Sequence, residues 1–384
     1  MSVPGPATFP LPNLLNRHAG PAARVLIIRS GPLELVQDIL AVLSEWNSAL
    51  EVVQYCHEGQ ELDILSNLIY SHPGYFRLKH ADLDTLRSRN FDLVIVPYAT
   101  DRRLHPEYHE VDLIAIETGA EAVIAVYWDR TALLLDENLL ERKEREAVRP
   151  YLEQKKSAIE EIRRFTGEDP EVIEDKCHLA AARGDCLWRE QSPASECEIE
   201  EFYSGTDFYI YALMKECDWR GARSWLAGLL ADEIPPESSV LDYGAGCGAL
   251  GIAMAERGYD FTHLDLPGPL LEFARSRYRA RGLEVTVAAA EQPLPLSESY
   301  DAIICIHVLE HVPDPEDKLR HLAGHLAPDG SLCIAIPFEA NPVGGEHPGL
   351  HLNRLTDQRY QTLIAELGFE CVRQVDDLDI LRRP

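Results

Sequence analysis

A glycine-rich segment in the C-terminal half of the chain has the composition of a ligand-binding turn. Residues 240–248 read V-L-D-Y-G-A-G-C-G, so an apolar strand ending near Asp242 is followed by Gly244, Gly246 and Gly248. Glycines permit a tight turn and a close approach of the backbone to a ligand. The apolar helix that follows would present free N–H groups and the positive end of its dipole, where a carboxylate or phosphate can bind.

This turn is compatible with two different cofactors. Gly244, Gly246 and Ala249 fit the G-x-G-x-x-G/A pattern of a nicotinamide dinucleotide site, and Asp265 lies about twenty residues further on. A carboxylate there can accept hydrogen bonds from ribose hydroxyls in either kind of site. The turn and the acid together therefore leave an NAD-dependent oxidoreductase as an alternative.

Further segments resemble the class I S-adenosylmethionine-dependent methyltransferase family. Asp242, two residues before the first glycine, fits the first motif of that family better than the dinucleotide pattern, and residues 309–312 (LEHV) also speak against an oxidoreductase. The resembling segments are 263–274 (HLDLPGPLLEFA), 300–315 (YDAIICIHVLEHVPDP), 326–337 (LAPDGSLCIAIP) and 367–369 (LGF). The resemblance covers roughly residues 236–384 and implies methyl transfer on a Rossmann-like sheet.

The resemblance also implies how S-adenosylmethionine would be bound. Gly244, Gly246 and Gly248 would approach the methionine portion of the cofactor. Asp242 would help to hold its ammonium group, and Asp265 would accept hydrogen bonds from both ribose hydroxyls.

One position departs from the pattern of the family. Many members carry an Asp after the third strand that binds the adenine amino group, and here Ala289 stands at that position. Glu291 or a backbone carbonyl would then take its place. A catalytically inactive protein that keeps the fold as a scaffold is therefore an alternative to an active enzyme.

Two histidines are candidates for the chemical step. A base that removes the proton of a hydroxyl or thiol acceptor typically contributes about 10²–10⁴-fold. His307 ends the predicted fourth strand and His311 follows in the next turn. The carboxyl ends of strands line the ligand crevice in open α/β sheets, and histidine titrates near neutral pH. We therefore expect catalytic roles for both, the alternative being that they shape the loop or cap a helix.

Two segments are candidates for binding the methyl acceptor. Residues 202–211 are rich in aromatic side chains, and segments at this place often cover the cofactor in the family, so Tyr203 and Tyr209 would face the acceptor. A loop rich in Gly, Pro and His after the predicted fifth strand would bring His347 and His351 to the acceptor. A core helix and an ordinary surface loop are the alternatives.

The cysteines favour neither a metal site nor a disulfide framework. The chain has nine cysteines and no Cys-x-x-Cys pair. Cys177, His178, Cys186 and Cys197 lie close in sequence, but structural zinc sites use tighter cysteine spacing. We expect no metal and unrelated thiols.

The elements that must position these residues alternate between strand and helix at both ends of the chain, which predicts an α/β fold. The predicted N-terminal strands are 24–29, 50–55, 75–79, 91–97 and 122–127. The predicted C-terminal strands are 239–243, 261–265, 284–288, 302–307, 331–337 and 370–375.

The same pattern divides the chain into four parts. We predict a flexible, proline-rich arm at 1–23, a smaller three-layer α/β domain at 24–130, a helical middle region at 131–232 and the methyltransferase domain at 233–384. The N-terminal domain has no phosphate-binding loop of its own, so we expect it to serve in docking or in forming a homodimer.

The charge of the chain restricts its partners. The 384 residues carry a net charge of −28. Nucleic acids and anionic membrane surfaces are bound through Lys and Arg, so both are disfavoured, and a small-molecule acceptor is expected. The N-terminus lacks a signal-peptide pattern and no run of eighteen apolar residues occurs, which predicts a cytoplasmic protein.

Overall fold

The computed structural model describes residues 10–18, 24–290, 296, 299–338, 350, 352 and 354–384. The chain divides into two compact units, Met1–Glu153 and Gln154–Pro384. Among the residues described, no helix is both long and apolar enough to cross a membrane.

The first unit is built on a six-stranded sheet in the order β3-β2-β1-β4-β5-β6, in which only β6 is antiparallel to its neighbour. The strands are β1 (Arg24–Ile28), β2 (Glu51–His57), β3 (Ser66–Tyr70), β4 (Leu93–Pro97), β5 (Ala122–Val126) and β6 (Ala132–Leu134). The helices are α1 (Leu11–His18), α2 (Leu33–Trp46), α3 (Leu83–Ser88), α4 (His109–Glu117) and α5 (Glu137–Lys143). Apolar side chains of α1 and α2 pack on one face of the sheet and those of α3 and α4 on the other, which gives three layers.

Two expectations for this unit need correction. Within the segment predicted to be a flexible arm, Leu11–His18 is a helix, because Leu11 and Leu15 share one face and are fully buried in the core. The strand predicted at 75–79 is wrong, and the third strand is Ser66–Tyr70. This strand lies at the edge of the sheet, where only Tyr70 is buried, so it lacks the apolar run by which buried strands are recognised.

Helices dominate the middle of the chain, as predicted. The second unit begins within α6 (Arg149–Thr166) and continues with α7 (Pro170–Gln191), α8 (Glu196–Gly205), α9 (Phe208–Leu213) and α10 (Ala222–Ala231). A π-helical segment, Met214–Trp219, directly follows α9. A second π-helical segment, Glu144–Val148, joins α5 to α6.

The second unit contains a seven-stranded sheet in the order β12-β13-β11-β10-β7-β8-β9, and only β13 runs antiparallel to its neighbours. The strands are β7 (Ser239–Tyr243), β8 (Asp260–Asp265), β9 (Thr286–Ala289), β10 (Tyr300–Ile306), β11 (Leu326–Ala335), β12 (Glu370–Val375) and β13 (Leu378–Arg382). The remaining helices are α11 (Ala249–Ala255), α12 (Pro269–Arg281), α13 (Pro315–Gly324) and α14 (Asp357–Glu366). Helices α10 and α11 cover one face, and α13 and α14 cover the other.

The strand order of this sheet reverses between β7 and β10. In open α/β sheets the carboxyl ends of the strands form a crevice at such a reversal, and ligands bind there. The glycine-rich turn follows β7 and His307 follows β10, so the sheet brings both predicted motifs to this crevice.

Candidate functional site

A cavity occupies the crevice where the strand order reverses. Its walls are residues 244–247 after β7, 265–268 after β8, and 306–308 with 311–313 after β10. Helices α8 and α9 complete the wall with Tyr203 and Tyr209, among other side chains. The cavity is thus bounded by the turns of a parallel sheet and by the helical segment that precedes it in sequence.

Two of the three predicted glycines form the cavity wall. Gly244 and Gly246 have φ angles of 74° and 60°, in the left-handed region that side chains rarely adopt. A Cβ atom would collide with Val308 at Gly244 and would lie 2.8 Å from Leu213 Cδ1 at Gly246. Without side chains, the backbone at these two positions therefore leaves space for a ligand, and a side chain at either position would occupy that space.

The third glycine has a different task. Gly248, with φ 76°, is the residue before α11 and does not line the cavity; a Cβ atom there would lie 2.8 Å from Tyr278 Oη. Gly248 therefore permits close packing between the start of α11 and α12. Asp242 is buried at the end of β7, with 5% of its surface exposed, and it too does not line the cavity.

Asp265 ends β8 and lines the cavity beside the glycine turn. Its Oδ2 accepts a hydrogen bond of 2.6 Å from the Gly246 N–H, and its Oδ1 accepts one of 2.7 Å from the Leu266 N–H. Burial raises the pKa of Asp265 to about 6, although both backbone hydrogen bonds act to lower it. Ala290 lines the same region and donates its N–H to the Asp265 carbonyl, whereas Glu291 lies outside the described residues.

The raised pKa of Asp265 predicts that binding of S-adenosylhomocysteine depends on pH. Only the ionised carboxylate accepts hydrogen bonds with both oxygens, and below pH 6 the ligand-free protein holds this group protonated. We expect the dissociation constant to rise by about tenfold for each pH unit below 6 and to stay constant above pH 7. Calorimetric titration from pH 7.5 to pH 5 measures this. The Asp265→Asn variant should bind weakly with no such slope, and equal slopes in both proteins would contradict the assignment.

His311 belongs to a hydrogen-bonded group on the cavity wall. Its Nδ1 lies 2.8 Å from the Leu350 carbonyl oxygen, which also accepts a 2.7 Å hydrogen bond from Tyr203 Oη. Because a carbonyl only accepts, Nδ1 must carry the proton, and in the neutral ring Nε2 is then the nitrogen that can accept one. The hydrogen bond to Leu350 thus favours the tautomer that a general base needs.

Glu310 is a member of this group that the sequence interpretation missed. Its side chain is 1% exposed, and its Oε1 lies 3.9 Å from His311 Nε2 and 3.6 Å from His307 Nδ1. The second oxygen, Oε2, is buried with no hydrogen-bond partner among the described residues. A buried carboxylate beside two imidazoles would stabilise the positive charge of either ring when it takes up a proton.

The other predicted site residues fall in three classes. His307 lines the cavity with its backbone in the left-handed region at φ 54°, and its Nε2 lies 3.4 Å from Asp377 Oδ2. Tyr209 lines the cavity and packs against Tyr203, with ring centroids 5.8 Å apart. His347 and His351 lie outside the described residues.

Within the described parts of the chain, no cluster of three or more His, Cys, Asp or Glu side chains could hold a metal ion.

A buried arginine holds the glycine turn through a hydrogen bond to its backbone. Arg277 of α12 is 2% exposed and donates to the Cys247 carbonyl, to Asp218 Oδ1 and to Glu161 Oε2, at 2.7, 2.7 and 2.6 Å. Arg281, one turn later, forms a second ion pair with Glu161. The nearby carboxylates raise the pKa of Arg277 against the opposing effect of burial, so the guanidinium stays charged. One cation therefore links α6, the π-helical segment and the cofactor turn.

This arrangement predicts unequal effects for two neighbouring arginines. Arg277→Met would leave Asp218 without its cation and Glu161 with Arg281 alone, and breaking a buried ion pair costs about 3–5 kcal/mol of unfolding free energy. Arg281→Met removes the same charge from a more exposed position and should cost less than about 1 kcal/mol. Urea unfolding of both variants checks this. Equal losses would show that the contacts of Arg277 to Cys247 and Asp218 contribute nothing.

Comparisons with known proteins find a methyltransferase domain in the part of the chain that contains this cavity. A family model described as a methyltransferase domain matches residues 218–374. The ubiquinone biosynthesis O-methyltransferase of Xanthomonas campestris pv. campestris (strain B100) is 39% identical over 127 residues, covering 29% of this chain and 51% of the relative. That of Bordetella avium (strain 197N) is 39% identical over 110 residues, covering 27% and 44%. The chain spans about half the length of the curated relatives it matches.

Solved structures that match part of this chain are more distant in sequence. A SAM-dependent methyltransferase from Aquifex aeolicus is 17% identical, covers 41% of this chain and 88% of its own, and has a TM-score of 0.36. The family match and the curated relatives show that the C-terminal part of the chain contains a methyltransferase domain. They favour this interpretation over the NAD-dependent oxidoreductase that the glycine spacing left open.

Proposed function

We propose that this chain transfers the methyl group of S-adenosylmethionine to a hydroxyl oxygen of a small-molecule acceptor. The observation that carries the proposal is that one cavity is lined both by the glycine turn with Asp265 and by His311. Gly244, Gly246 and Asp265 would form a cradle for the cofactor, and His311 lines the same cavity beside Tyr203. The names of the curated relatives, which are O-methyltransferases, support oxygen as the methylated atom.

The cradle residues fit the parts of the cofactor. The bare turn at Gly244 and Gly246 would hold the methionine portion, and the Asp265 carboxylate would accept hydrogen bonds from the ribose hydroxyls. The N–H of Ala290 is already bonded to the Asp265 carbonyl, which fixes the wall on the side of β9 where adenine would lie. When bound, the cofactor supplies an electrophilic methyl group on a sulfonium.

The chemical task of the protein is to orient the acceptor and to take its proton. In the tautomer fixed by Leu350, His311 presents Nε2 as the basic nitrogen. The imidazolium that forms would be stabilised by Glu310, whose carboxylate is buried 3.9 Å away. Tyr203 holds the same carbonyl as His311, so it fixes the position of the ring rather than taking the proton itself.

Calorimetric titration of the full chain with S-adenosylmethionine, S-adenosylhomocysteine and NAD tests the first part of this proposal. We expect micromolar binding of both sulfur compounds and no binding of NAD. Transfer of isotopically labelled methyl groups to a panel of phenols and anilines then tests the acceptor atom. Failure of both sulfur compounds to bind would overturn the proposal, and binding without transfer to any hydroxyl would favour the scaffold alternative.

A further inference from the structure

A lysine lies on the wall of the cavity, on the side of the base. Lys318 stands in the second turn of α13 and is only 9% exposed, yet it lines the cavity together with Val312 and Pro313. The chain carries a net charge of −28, so a cation enclosed in its ligand cavity runs against the overall charge. A position facing away from solvent on an amphipathic helix is ordinarily apolar.

The charge of Lys318 is paired in the described part of the chain with Asp314, at the outer limit of ion-pair distance. Its Nζ lies 3.8 Å from Asp314 Oδ1, which is beyond hydrogen-bonding distance, and the Asp314 side chain is 46% exposed. Removing an ammonium group from water is costly unless an anion or several acceptors replace the water. A carboxylate of a ligand in the cavity would therefore replace water at the ammonium group more fully than the exposed Asp314 does.

The position of Lys318 separates it from the cofactor cradle. The cradle follows β7 and β8, whereas Lys318 belongs to the helix that follows β10 and the loop carrying His311. The walls near His311 are aromatic, because Tyr203 packs edge-on against its ring at 5.5 Å and Tyr209 lies beside Tyr203. Such walls favour a flat aromatic ring.

We propose that Lys318 binds a carboxylate of the methyl acceptor, so that the acceptor is a phenolic acid whose hydroxyl faces His311. The inference rests on the proposed function and adds the chemical class of the substrate. Lys318 would select among acceptors and would take no part in the proton transfer. A charged hydrogen bond in a water-poor cavity should favour the acid over its neutral amide by about tenfold or more.

Binding of matched acids and amides measures this preference directly. The full chain, saturated with S-adenosylhomocysteine, is titrated with 3,4-dihydroxybenzoate and 3,4-dihydroxybenzamide, and then with 3,4-dihydroxycinnamate and its amide. The same titrations are made with Lys318→Met and with Arg320→Met. Arg320 lies on the same helix and pairs with Glu366 outside the cavity, so this control removes an equal charge.

The wild-type chain and Arg320→Met should prefer the acid of at least one pair by tenfold or more, and Lys318→Met should reduce this preference to less than about twofold. No preference in the wild-type chain for either acid, or a preference that survives in Lys318→Met, would overturn the inference while leaving the proposed function intact. A loss of S-adenosylhomocysteine affinity in Lys318→Met would overturn it too, because the lysine would then serve the carboxylate of the cofactor. If the wild-type chain does not bind S-adenosylhomocysteine, the proposed function itself fails.

Discussion

Replacing His311 with Gln is expected to lower kcat for methyl transfer by about 10²–10⁴-fold. Gln keeps a side chain that can donate to the Leu350 carbonyl, but it has no nitrogen that takes up a proton. The cofactor cradle is untouched, so the dissociation constant of S-adenosylhomocysteine should change by less than about twofold. Steady-state kinetics with saturating cofactor, together with calorimetry, separates the two quantities.

The pH profile distinguishes a base from a merely structural histidine. In the wild-type enzyme kcat should fall at acidic pH as His311 becomes protonated, and this limb should vanish in His311→Gln. His321→Gln serves as the control because His321 lies exposed on α13 and does not line the cavity. An unchanged kcat in His311→Gln, or an acidic limb that persists in this variant, would remove His311 from the mechanism.

Asp265→Ala is expected to weaken cofactor binding by about 10²–10⁴-fold. The carboxylate would form two hydrogen bonds to ribose, and each hydrogen bond to a charged group contributes about 1.5–3 kcal/mol. The Gly246 N–H would also lose its acceptor, so the glycine turn would be less firmly held. Titration with S-adenosylhomocysteine measures the change.

The matched control for Asp265→Ala lies in the same strand. Asp260 is the first residue of β8, is exposed and is remote from the cavity wall. Asp260→Ala removes the same charge and should leave the dissociation constant within about twofold of the wild-type value. If both variants lost affinity equally, the effect would come from net charge or from stability and not from contact with the ribose.

Local sequence patterns were sufficient to predict that the glycine turn and Asp265 lie together. Strand β7 was predicted with its observed bounds, because an apolar run ends directly in a glycine-rich turn. The same spacing placed Gly244, Gly246 and Asp265 together, and all three line the cavity. Gly248 shows the limit of the pattern, since a glycine needed for helix packing cannot be told from one that faces a ligand without the position of Tyr278.

The proposed acceptor side depends on contacts between residues far apart in the chain. Leu350 fixes the tautomer of His311 through a backbone carbonyl, which no side-chain pattern reveals. Lys318 would be taken for a charge on the outer face of α13, and only the packing of that helix turns it to the cavity. The sequence interpretation missed strand β13. Only two residues separate it from β12, with Asp376 at φ 53°, so the sequence shows little sign of a second strand there.

The π-helical segment after α9 keeps three side chains in line. An α-helix turns about 100° per residue, so residues four apart drift by about 40°, and a row of three would swing away from a flat wall. Tyr209, Leu213 and Cys217 follow each other at intervals of four, and all three line the cavity. A π-helical turn is wider, so the second interval offsets the drift of the first. The same turn directs Asp218 to Arg277. The one additional residue of the π-helical turn therefore restores the direction of the side chains that follow it. Deleting this residue would rotate Cys217 relative to the cavity and Asp218 relative to Arg277.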